Sequence, residues 1–105
     1  MRLTVSEVDQ RLCPSSPFAR SCIIDLTQLT GRERNEILYG LFQWCAERWG
    51  ATVTKDAASK GDFPATILWF QAQDRFWFRD DNAFFEFKLR WYGADVGEML
   101  KSSYP

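Results

Sequence analysis

The most regular pattern in the chain lies over residues 31–49. Ile37, Leu38, Leu41, Phe42, Cys45, Ala46 and Trp49 recur at alternating steps of one and three, a broad apolar stripe of helical period. Glu36, Gly40, Gln43 and Glu47 fall on the other side, and Tyr39 and Trp44 flank the stripe. Thr30 and Glu33 have the spacing of a capping box, and Gly50 stands where a helix ends. The spacing predicts a helix over 31–49, ~28 Å long.

Elsewhere the period is nearer two. Arg20–Leu26 reads as a strand with Cys22, Ile24 and Leu26 on one face. A short strand is expected over Ala51–Lys55 and a longer one over Ala65–Gln73. Phe76–Arg79 follows a turn at Asp74-Arg75. Asp80-Asp81-Asn82 reads as a hairpin loop. Phe84–Tyr92 has the cleanest alternation, with Phe85, Phe87, Leu89 and Trp91 against Glu86, Lys88, Arg90 and Tyr92, and is read as a half-buried strand. At the start, Thr4 and Glu7 fit a capping box with Val5, Val8 and Leu12 behind it, while Leu3 and Val5 also alternate as in a strand; a short helix from Val5 to Leu12 is preferred. Asp95, Val96, Glu98, Met99 and Leu100 suggest a closing helix near 95–102. Cys13–Pro17 and Lys55–Pro64 read as irregular.

These elements predict one α+β domain over residues 1–105. It has two layers, an antiparallel sheet of four to five strands against one long helix. The order is β-α-β-β-β-β, with a short helix at each end.

Composition narrows the chemistry. With no histidine there is no Ser-His-Asp triad, Cys-His pair or histidine metal ligand. The three cysteines, Cys13, Cys22 and Cys45, have no paired spacing, and Cys22 and Cys45 fall at core positions, so buried thiols are expected rather than a zinc site. The glycines are isolated, without a phosphate loop, and the acidic run at 80–82 does not fit a calcium loop. A non-enzymatic protein without metal or cofactor is the expectation. No apolar run is long enough for a membrane span. The charged start Met1–Asp9 does not read as a signal peptide, which points to the cytoplasm.

Aromatic content, at 16%, is the distinctive quantity, and it is concentrated between Phe63 and Tyr92. Grouped by parity, the sheet face turned away from the long helix collects Ile67, Trp69 and Gln71, then Arg75, Trp77 and Arg79, then Glu86, Lys88, Arg90 and Tyr92. Trp, Tyr and Arg dominate binding hot spots because they combine large area with polar tips. Three readings follow. The terminal segments cover this face and make the tryptophans core. Or Trp69, Arg75, Trp77, Arg79, Lys88, Arg90 and Tyr92 bind a protein partner or a second copy, with Tyr39 and Trp44 at the helix edges adding to the surface. Or the face is a single-strand nucleic-acid platform, with rings stacking bases and arginines meeting phosphate. The net charge of −1 works against the last.

In size and character the chain resembles small phage or mobile-element inhibitors, such as anti-CRISPR proteins, and bacterial immunity proteins. The likeness implies a small domain that binds and blocks a protein partner, and it assigns no residue roles. Protein binding is therefore the first expectation, with single-stranded nucleic-acid binding as the alternative.

Overall fold

The computed structural model describes residues 2–8, 18–53, 56, 57, 60, 64 and 66–102. The chain runs β1 (Val5–Val8), β2 (Arg20–Ile24), α1 (Gly31–Trp49), β3 (Trp69–Ala72), β4 (Arg75–Phe78), α2 (Asp81–Trp91) and α3 (Val96–Ser102). The strands form one antiparallel sheet in the order β1-β2-β4-β3. The fold is α+β, as the sequence predicts, with the element order β-β-α-β-β-α-α in place of the expected one.

The long helix keeps its predicted bounds. Thr30 Oγ1 accepts from the Glu33 backbone N–H, and the Glu33 carboxylate accepts from the Thr30 N–H, closing the capping box. Ile37, Leu41 and Cys45 point into the core. Gly50 ends the helix at φ 82° and ψ −166°, a conformation open almost only to glycine. Its carbonyl accepts from the Trp69 indole N–H at 2.9 Å, and Thr52 donates to the Trp69 carbonyl at 2.6 Å. Residues 51–53 thus pin β3 to the end of α1, and they are not the strand expected over 51–55; Thr54 and Lys55 lie outside the described residues.

The largest departure is the segment read as the cleanest strand. Residues 81–91 are helical. Asp80 is the N-cap, its Oδ1 accepting from the Ala83 N–H at 2.7 Å, so the residues read as a hairpin loop start a helix. Two periods overlap in this stretch. Phe85, Phe87, Leu89 and Trp91 alternate as in a strand, but Ala83, Phe84, Phe87 and Trp91 lie on one side of a helix, and those four are buried. Phe85 and Leu89 then point to solvent, at 61% and 69% exposure.

The N-terminal segment departs in the opposite sense. Val5–Val8 is an edge strand, with Val5 opposite Ile24 and Glu7 opposite Cys22. Pairing with β2 overrides the local capping signal, and Val5 is buried. Residues 9–12 of the expected helix lie outside the described residues, as do those of the Cys13–Pro17 loop. The strands expected over Arg20–Leu26 and Ala65–Gln73 contract to β2 and β3, and the one expected over Phe76–Arg79 is shifted back by one residue as β4. The turn falls at Gln73-Asp74, with Gln73 at φ 55°. The closing helix forms as predicted, α3 beginning at Val96.

One face of the sheet carries the main core. Val5, Cys22, Ile24, Trp69, Phe76 and Phe78 meet the buried residues of α1 and α2, together with Leu3 and Val96. Phe87 packs against Phe76 and Phe78, its ring centroid 5.0 Å from each. Trp44 lies between the helices, 6.2 Å from Phe87 and 5.9 Å from Trp91. At one corner, Arg20 of β2 pairs with Glu7 of β1 at 2.9 Å and with Asp81 of α2 at 2.8 Å.

The two rings Phe85 and Phe87 separate a helix from a strand by experiment. Phe87→Ala is expected to cost about 3–5 kcal/mol and Leu41→Ala about 2–5 kcal/mol. Phe85→Ala is expected to stay within about 0.5 kcal/mol of the parent. Urea unfolding of the three variants checks this; equal losses at 85 and 87 would restore the strand.

Candidate functional site

The expected site does not assemble on the sheet. Trp69 belongs to the helix-side core and is fully buried. Trp77 lies on the opposite face, 4% exposed, in a second cluster with Phe18 and Phe70, against which Val53, Ile67 and Ala72 pack. The hairpin register is the cause. A two-residue turn joins an odd-numbered position to an even one, so Trp69 pairs with Phe78 and Phe70 with Trp77. The indoles placed together by parity are therefore on different faces, and neither is open to a partner. Among the described residues the sheet offers no platform of exposed rings. Both tryptophans are buried, but not beneath the terminal segments as one reading has it: Trp69 lies under the helices, and the described neighbours of Trp77 are Phe18, Phe70, Val53, Ile67 and Ala72.

Arg75 and Arg79 keep their place on the outer side. Arg79 is engaged structurally: its Nε donates to the Ile67 carbonyl and its Nη2 to the Pro64 carbonyl at 3.0 Å, while its guanidinium lies 5.8 Å from the Phe18 ring centre. Lys88 and Arg90 on α2, and Tyr92 at its C-cap, belong to the helical layer, across the sheet from Arg75 and Trp77. The seven residues are thus divided between the main core, the outer cluster and the surface of α2.

What the helical layer exposes is more distinctive. Among the described residues, Tyr39, Phe85, Leu89 and Tyr92 are the large apolar side chains left open, each at 59–69% exposure. Phe85 and Leu89 are one turn apart on the side of α2 opposite Phe84 and Phe87, and Tyr92 follows at the helix's C-cap. The helix is apolar on two opposed sides, and only one has a neighbour among the described residues.

Beside this stripe, α1 and the chain from Arg90 to Met99 enclose an open groove of about 770 Å³. Its aromatic wall is Tyr39, Trp44, Trp91 and Tyr92. Among the described residues its carboxylates are Glu36, Glu47, Asp95 and Glu98, against one cation, Arg90. Glu36 pairs with Arg32 at 3.5 Å, and Asp95 accepts from the Glu98 N–H at the start of α3. The Arg90 guanidinium lies 4.0 Å from the Trp91 ring centre and that of Arg48 5.6 Å from Trp44. Arg48 also pairs with Glu86, joining the two helices, and this contact holds its pKa above the ordinary value. Trp91 is 7% exposed, and its buried indole N–H has no acceptor among the described residues. Gly40, midway along α1, also lines the groove, and a Cβ built on it would meet open space.

Sequence reasoning reached Tyr92, Arg90 and the Tyr39 edge but assigned Phe85 and Leu89 to a buried face. The Asp80 cap, counted forward in helical steps, was the signal that places them outward. Asp95 and Glu98 were legible only as a helix start.

Cys22 and Cys45 are buried free thiols, as expected. Burial pushes the Cys22 pKa up to about 12 and raises that of Cys45 as well. Cys13 lies outside the described residues. Among those described, no group of three or more His, Cys, Asp or Glu side chains could hold a metal ion, and no helix is long and apolar enough to cross a membrane. Compared with known proteins, the chain matches no protein-family model, no curated protein and no solved structure.

The thiols give a pH test. Folded Cys22 and Cys45 hold their protons more tightly than the same groups in the unfolded chain, whose pKa is about 8.5. Their contribution to stability is complete below that value and is lost as pH rises toward the folded value. In a Cys13→Ser background, thiol reagent at pH 8 is expected to label the native protein only at the rate of unfolding, and stability should fall above about pH 9. Rapid native labelling at either position would contradict the burial.

Proposed function

We propose that this chain is a non-enzymatic protein-binding domain whose contact surface is the outer side of α2. The observation that carries this is the row Phe85, Leu89 and Tyr92, two large apolar side chains held open on a helix whose other side is fixed in the core and a third at its C-cap. Leaving such a stripe in water forgoes roughly 1.5–3 kcal/mol for each side chain that a partner could bury. A continuous apolar helix face is a familiar form of recognition surface. Lys88 and Arg90, from the set singled out in the sequence, lie on the same helix and suit the polar rim of such a contact. The buried thiols and the lack of histidine support a role without catalysis.

The nucleic-acid reading gains nothing from this arrangement. The rings that remain open lie on the helical layer, and the groove beside them is rich in carboxylates. A blocking role, of the kind small mobile-element inhibitors play, belongs to the same proposal and uses the same surface.

The test compares the parent with a Phe85→Asp, Leu89→Asp double variant. Both positions are exposed, so the variant should keep the parent's circular dichroism and unfolding midpoint. Immobilised parent should retain a partner from lysate of the source cells that the variant releases. An identical retained set, or none, would overturn the proposal. Size-exclusion chromatography of the parent alone covers the case of a second copy: a dimer dissolved by the same substitutions would make the partner this chain itself.

A further inference from the structure

Resting on the protein-binding reading, we infer that the groove between α1 and residues 90–99 receives a basic segment of the partner, bearing lysine or arginine side chains. Charge is the first argument. Among the described residues, four carboxylates and one guanidinium line the groove, and with Glu36 paired to Arg32 the lining is still acidic on balance, in a protein whose net charge is only −1. A concave site of one sign raises the local concentration of the opposite charge. The wall chemistry is the second. Both groove indoles already carry a guanidinium of this chain near one ring, Arg90 over Trp91 and Arg48 over Trp44. Tyr39 and Tyr92 are open aromatic surfaces of the same kind, able to take an incoming cation on their faces.

The third argument distinguishes a polypeptide from a small cation. The groove, at about 770 Å³, is far larger than one amine or guanidinium needs, so it suits a length of chain rather than a lone cation. Gly40 adds room. It sits in mid-helix, where glycine is the poorer choice against alanine, and no packing contact demands it. Its missing side chain widens the groove floor. The groove also meets the exposed stripe at Tyr92, which belongs to both, so one partner can cover stripe and groove together.

The test uses short fluorescein-labelled peptides of alternating Leu and Lys, the same peptide with Glu for Lys, and the same with Gln. Fluorescence anisotropy should show binding of the Lys peptide alone, weakening as salt is raised. A Glu47→Gln, Glu98→Gln double variant should bind it roughly tenfold more weakly. Gly40→Leu, which fills the floor with a good helix former, should lose binding while keeping the parent's unfolding midpoint. The Trp91 indole proton resonance should shift on titration. Equal binding of the Glu or Gln peptide, full binding by Gly40→Leu, or an unmoved Trp91 resonance would each overturn the assignment. If the Lys peptide fails while Phe85→Asp, Leu89→Asp still releases a captured partner, the groove assignment falls and the protein-binding reading stands. If both experiments fail, both fall.

Discussion

The structure depends on the seating of Phe87 against the central strand. Its ring lies 5.0 Å from Phe76 and from Phe78, and all three are fully buried. Burial of one such side chain is worth roughly 1.5–3 kcal/mol, and a well-placed ring pair adds about 0.5–1.5 kcal/mol. Once Phe87 is seated, helical geometry decides the rest of α2. Ala83, Phe84 and Trp91 must face the sheet, and Phe85 and Leu89 must face away. The exposed stripe follows from the core contact. The same seating fixes where Trp91 meets Trp44, and hence where the groove opens between the helices.

The sequence was legible where one period acts alone. Over 31–49 the apolar stripe, the Thr30–Glu33 box and Gly50 all agree, and the helix has the expected bounds. Over 83–91 two periods are superimposed, because the apolar residues on the helix's exposed side complete a strand-like alternation. Aromatic residues, which favour strands, strengthen the wrong period. Asp80 resolves the ambiguity, since one carboxylate capping one backbone N–H selects the helix. At the N-terminus, a capping box was present in the residues but not used, because Val5 gains more from burial opposite Ile24 than Thr4 gains from a cap.

The site was harder to read than the fold for a related reason. Face assignments on a sheet need the register, and the register depends on turn length. Trp69 and Trp77 were placed together by number, yet a two-residue turn separates them. Lys88, Arg90 and Tyr92 were correctly seen as surface residues, though on a different element. The groove itself draws on Glu36 and Glu98, far apart in sequence, and neither carries a local signal that anticipates the other.

The N-terminal strand is tied to the far end of the chain by direct backbone contact. Leu3 donates to the Ala94 carbonyl, and the Gly93 N–H donates to the Leu3 carbonyl, each at 2.8 Å. Arg2 adds a bond from its Nη1 to the Gly93 carbonyl at 3.0 Å. During synthesis β1 can pair with β2 once Arg20–Ile24 has emerged, and the bonds from residues 93 and 94 fasten the segment ahead of it much later. Between those events, until β4 is made, the other side of β2 presents an open edge to other nascent chains. Chaperone protection during translation matters most in that interval.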